Sequence, residues 1–160
     1  MTFIKTMNIH DLGVGPALAL RAFRSMAAGC DHADLVRRFD EVFGFAGRAA
    51  LGAMHMLVKE IGVAGGRRVA VACPGCCKLT ADELSVLALL SAAQERNDPL
   101  IEAHAAWLMA GQPAATARAA AIAVSAVFKI AGLTLARPPV EISARPRAHK
   151  PVLRVTAGNA

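Results

Sequence analysis

The chain has no tyrosine and one tryptophan, and aromatic residues make up only 4% of its 160 positions. With 55% apolar residues drawn mainly from alanine, leucine and valine, that scarcity argues against a β-sandwich and for closely packed helices. Long hydrophobic runs are missing too. The longest apolar stretch, Ala119 to Phe128, holds ten residues and is followed by Lys129, whereas a membrane-spanning helix needs about 20. It reads as a buried helix, and no membrane span is expected. The opening residues, MTFIKTMNIHDLG, lack the apolar core and small-residue cleavage site of a secretion signal, so the cytoplasm is the expected location.

Several functional signatures are also lacking. No HExxH zinc motif occurs, and no glutamate is followed three residues later by the histidine of a di-iron bundle. Gly13-Val14-Gly15 follows no strand and Gly65-Gly66 precedes no helix, so neither has phosphate-binding context. His10, His55, His104 and His149 are scattered and read as surface or satisfied core histidines. Trp107 reads as a core or interface residue. No repeat of solenoid length is present.

Acidic residues are nearly absent from the C-terminal stretch. Residues 134–160 carry Arg137, Arg145, Arg147, Lys150 and Arg154 against Glu141 alone, so most of the formal charge of +6 resides there. The same stretch contains Pro138, Pro139, Pro146 and Pro151, which forbid a regular helix. The expected organisation is a helical domain over residues 1–133 followed by a basic, extended, proline-rich arm over 134–160. That arm offers weak nucleic-acid contact through phosphate, without the interleaved aromatics of a base reader.

What remains is helical patterning. Pro16 to Ala28 places Leu20, Phe23 and Ala27 on one side, with Arg21 and Arg24 facing out and Gly29 as a stop. Asp31 is a natural cap for Leu35, Phe39, Val42 and Phe43. The period continues through Ala50, Met54, Leu57 and Ile61, with a break near Gly44, and ends before Gly65. Arg67 to Ala72 is β-prone and reads as a short strand or an extended lead-in, with Val152 to Thr156 the only strand partner in sight. Thr80-Ala81-Asp82-Glu83 is a capping box that opens a helix to about Arg96. Asp98 and Pro99 open the next, which ends at Gly111. Pro113 starts the last, apolar all round from Ala119 and so expected at the centre of the bundle. The fold class is therefore mainly α, a bundle of about five helices with a short extended loop and a basic tail. Its Gly/Ala faces make a homodimer the expected partner.

Cysteine is rare but concentrated. Of Cys30, Cys73, Cys76 and Cys77, three fall in VACPGCCKLTADE, residues Val71 to Glu83. In a reducing compartment such clusters point to metal or redox chemistry. The Cys73-Pro74-Gly75-Cys76 turn wraps two thiolates as a tetrahedral ion requires, and Cys30, with His32 as substitute, supplies a further ligand. Cys30, Cys73, Cys76 and Cys77 are then the metal set, holding Zn²⁺ or alternatively an iron-sulfur cluster in a structural or regulatory role. Cys77 is the least comfortable member, because adjacent side chains diverge. A helix start a few residues beyond, together with Lys78, favours thiolates in general, which suits a redox sensor equally well. A small-molecule or haem-binding bundle and inert packing cysteines complete the alternatives. A thioredoxin fold is disfavoured, because its CxxC sits directly on a helix N-terminus within βαβ units. On balance a non-enzymatic protein is expected.

The segment RRVAVACPGCCKLTADEL, Arg67 to Leu84, resembles an uncharacterised family of small bacterial proteins with a cysteine-rich run before a T-x-D-E helix start. The resemblance implies a small, mostly helical bacterial protein and no specific function.

Overall fold

The computed structural model describes residues 7–138. Each helix begins where local chemistry provides for its first amides. Helix α1 (Val14–Ala27) takes Pro16 into its first turn, where the missing amide costs nothing. Helix α2 (Ala33–Phe43) begins after Asp31, whose Oδ1 accepts from the Ala33 amide at 3.1 Å. It stops at Gly44, whose φ of 58° suits glycine. Helix α3 (Ala46–Lys59) follows at once and relaxes into a π turn at Glu60–Ala64. The expected break near Gly44 is thus real, and it yields two helices that fold back on each other. Gly47 makes that return possible: a methyl group at its Cβ position would sit 2.6 Å from the Phe39 carbonyl oxygen.

Helix α4 (Ala81–Glu95) opens with the Thr80 capping box, in which both reciprocal hydrogen bonds form. Helix α5 (Asp98–Met109) is capped by Asn97, which accepts from the Leu100 amide at 3.3 Å. The cap therefore sits one residue before the expected Asp98. Helix α6 (Ala115–Ile130) completes a set of six among the described residues.

Helices α3 and α6 form the longest packed pair, α4 lies against α5 and α6, and α1 closes over α3 and α4. Phe39, Phe43 and Phe128 fix the α2, α3 and α6 junction with ring centroids 4.8 to 6.2 Å apart, a spacing at which aromatic pairs attract beyond their buried area. The helix at the centre is α4, not α6. Both sides of α4 are covered, from Ser85 through Ala93, while α6 leaves Ile122 and Ile130 exposed. Apolarity misplaced the centre because much of α6 is alanine, whose small side chain costs little to leave in water.

Residues 67–80 form no strand; they are extended and bend around the N-terminus of α4. Their pairing partner is the N-terminal segment instead, through an antiparallel bridge between Asn8 and Lys78. Of the expected basic arm, residues 134–138 lie within the description. There Leu135 is buried, and the Gln94 side chain donates to the Leu133 carbonyl and accepts from the Leu135 amide, at 3.0 and 2.7 Å. Residues 139–160, with the other four basic side chains of the arm and the Val152–Thr156 segment, lie outside the described residues. No described helix is long and apolar enough to cross a membrane.

Candidate functional site

The cysteine loop is anchored by one buried ion pair. Arg24 in the last turn of α1 and Glu83 in the first turn of α4 both have fully buried side chains. The guanidinium meets the carboxylate in a two-pronged contact, Nε to Oε1 at 2.7 Å and Nη2 to Oε2 at 2.9 Å. Its remaining donors reach the loop itself: Nη1 donates to the Cys76 carbonyl at 2.5 Å and Nη2 to the Lys78 carbonyl at 2.9 Å. Glu83 in turn accepts from the Ala72 amide and the Thr80 amide, both at 2.9 Å. The carboxylate therefore holds the loop where it arrives and where it leaves, and the guanidinium holds its middle. Burying both charges is costly, and only such complete pairing and hydrogen bonding offsets it.

A second layer fixes the lead-in. Asp82 accepts from Arg67 Nη2 and Nη1 at 2.7 and 3.0 Å and from the Ala70 amide at 2.8 Å. Burial alone raises the Asp82 pKa, but these hydrogen bonds and the Arg67 charge outweigh it and hold the carboxyl below its usual value. Thr80 Oγ1 donates to the Ala70 carbonyl at 2.6 Å. Arg67 lies over the ring of Trp107, 5.0 Å from its centroid, a cation-π contact that fixes the loop to α5. Trp107 is partly exposed and serves as this platform.

On this scaffold Cys73 and Cys76 are joined as a disulfide across the exposed Pro74-Gly75 turn, with their Cα atoms 5.3 Å apart and the Cys76 amide donating to the Cys73 carbonyl at 3.0 Å. Cys73 is exposed and Cys76 half-buried. Cys77 is a free, exposed thiol whose Sγ lies 3.8 Å from His10 Nε2. Cys30 is also free and exposed, on the turn between α1 and α2. Of the four expected ligands the structure thus joins Cys73 to Cys76 and places Cys77 beside His10. Among the described residues no group of three or more His, Cys, Asp or Glu side chains is arranged to hold a metal ion.

Two participants escaped the sequence reading. Arg24 was expected in solvent but is fully buried; the available signal was its position four residues after Leu20, also fully buried, which puts both on one helical face. Its partner Glu83 was visible only as a helix cap. His10 could not be assigned, because it meets Cys77 through pairing between segments nearly seventy residues apart in the chain.

The other histidines divide as expected where they are described. His55 is exposed, and His104 is buried with its Nδ1 2.9 Å from Ser85 Oγ. Burial, and then the Arg137 charge, lower the His104 pKa. The two main surface grooves flank α6 and are lined by residues such as Arg118 and Ile122 or Gln94 and Lys129, not by His55 or Trp107. No family model, curated protein or solved structure matches the chain.

Proposed function

We propose that the chain is a thiol-disulfide switch in which Cys73 and Cys76 are the redox pair and the Arg24-Glu83 clamp senses their state. The observation that carries this reading is the placement of an exposed disulfide directly on a buried charge: the Cys76 carbonyl is a ligand of the Arg24 guanidinium. A reducing dithiol attacks the exposed Cys73 sulfur, the Cys73-Cys76 bond breaks, and Cys76 leaves as a thiolate that takes up a proton. The second thiol of the reductant then displaces Cys73, so that two protein thiols and one reductant disulfide result. Opening the turn frees the Cys76 carbonyl to move, and a buried guanidinium that loses an acceptor must find another or admit water.

Trp107 reports on this. It is the sole tryptophan in a chain without tyrosine, so all the emission excited at 295 nm, a wavelength selective for indole at order-of-magnitude precision (~295 nm), arises from the ring under Arg67. Reduction should shift that emission reversibly, and Cys73→Ser or Cys76→Ser should abolish the response. Unchanged emission and unchanged amide exchange over residues 67–80 after complete reduction would remove the proposal. The same reduced samples test zinc or an iron-sulfur cluster on Cys30, Cys73, Cys76 and Cys77: one metal equivalent that survives gel filtration and protects these thiols from alkylation would put metal binding in place of the switch. Self-association through the Gly/Ala faces and nucleic-acid contact through residues 134–160 are separate expectations, read by light scattering and by salt-dependent binding to a duplex oligonucleotide.

A further inference from the structure

The loop holds a third sulfur that the Cys73-Cys76 pair does not use. Cys77 is free and exposed, and its distance of 3.8 Å to His10 Nε2 is set by the backbone on both sides. The Ile9 amide donates to the Cys77 carbonyl at 2.7 Å, and the Leu79 amide donates to the Met7 carbonyl at 3.1 Å. Beneath this pairing Met7, Ile9 and Leu79 are buried against Leu20 and Leu87. On the outer side Asn8 and Asp11 form a capping box around the short 3-10 turn Ile9–Asp11, with Asn8 Oδ1 accepting from the His10 amide at 3.1 Å. The imidazole is thereby presented to the sulfur by a fixed segment. Cys30, the other free thiol, is equally exposed but has no hydrogen-bonding partner for its sulfur among the described residues.

We propose that Cys77, with His10 as its base, is a thiol-disulfide exchange site for small anionic disulfides of the glutathione class. In the exchange His10 Nε2 takes the Cys77 proton as the sulfur attacks one sulfur of the small disulfide. A bond forms between Cys77 and that sulfur, the bond within the small disulfide breaks, and the departing thiolate takes the proton back from the imidazolium. Cys77 is oxidised and one half of the small disulfide is reduced, so no further oxidant is needed. Lys78, exposed next to Cys77, supplies a cation for the carboxylates of such a molecule. The arrangement exists while Cys73 and Cys76 are joined, so it stands independently of the switch proposed above.

The test uses the full chain with its Cys73-Cys76 disulfide intact, incubated with glutathione disulfide and followed by intact mass and peptide mapping. One glutathionyl group should appear on Cys77 at least about tenfold faster than on Cys30, and His10→Gln should slow Cys77 by about tenfold while leaving Cys30 unchanged. That factor is below the roughly 10²–10⁴ of a full general base, because free thiols are in part ionised near neutral pH. His10 is exposed, and Cys30 is an internal reference for folding and reagent. Equal rates at Cys77 and Cys30, an unchanged Cys77 rate in His10→Gln, or an adduct confined to Cys73 or Cys76 would each overturn the proposal.

Discussion

Replacing Arg24 by methionine keeps an unbranched side chain of similar reach but removes the guanidinium. Four hydrogen bonds disappear, two to Glu83 and one each to the carbonyls of Cys76 and Lys78. Glu83 keeps the Ala72 and Thr80 amides but becomes a fully buried carboxylate without a cation. Breaking a buried pair in this way costs about 3–5 kcal/mol. At about 2–4 °C per kcal/mol for a chain of this size, the melting temperature should fall by roughly 10–15 °C. Circular dichroism and urea titration measure both quantities. Glu83→Gln alone strands the arginine and should cost a similar amount. The double variant strands neither charge, so its loss should fall short of the sum by about 2–3 kcal/mol. Strict additivity, or a loss below about 1 kcal/mol for Arg24→Met, would refute the clamp.

Further outcomes follow from packing and protonation. Gly47→Ala places a methyl group against the Phe39 carbonyl and should cost about 1–3 kcal/mol by forcing α2 and α3 apart; a neutral result in urea titration would show that this crossing yields. Asp82 has a lowered pKa in the fold, so the stability it confers is complete above its ordinary value of 3.8 and is lost as pH falls through the folded value. Asp82→Asn should flatten that acid limb. His104 also has a lowered pKa, from burial first and the Arg137 charge second. Its unfolded form binds a proton that the folded form refuses, so stability should decline as pH falls below 6.5, the ordinary value, and level off below the folded value. His104→Gln should remove that component of the pH profile.

The helices were readable because their signals are local: a proline in the first turn of α1, the Thr80 capping box, and an apolar period broken at Gly44. Boundaries moved by a residue where two caps compete, as at Asn97 and Asp98. The centre of the bundle was misread because apolarity does not distinguish a buried alanine face from an exposed one. For the site, the clustering of Cys73, Cys76 and Cys77 marked the right loop, and the Pro74-Gly75 turn explains how the first two approach each other. What holds the loop was illegible. Arg24 lies 59 residues from Glu83, and nothing in either local pattern announces the other. The pairing of residues 7–9 with 77–79 is equally non-local, and it brings His10 to Cys77.

The most direct test of the switch is a redox titration of the purified chain against dithiothreitol or glutathione buffers, with Cys73 and Cys76 followed by differential alkylation and Trp107 by its emission. A switch predicts one reversible two-electron transition above about −300 mV, the region of exchange-active rather than structural disulfides, with alkylation and emission changing together. A pair that resists reduction below that value, or thiols that open with no change at Trp107, would contradict the account.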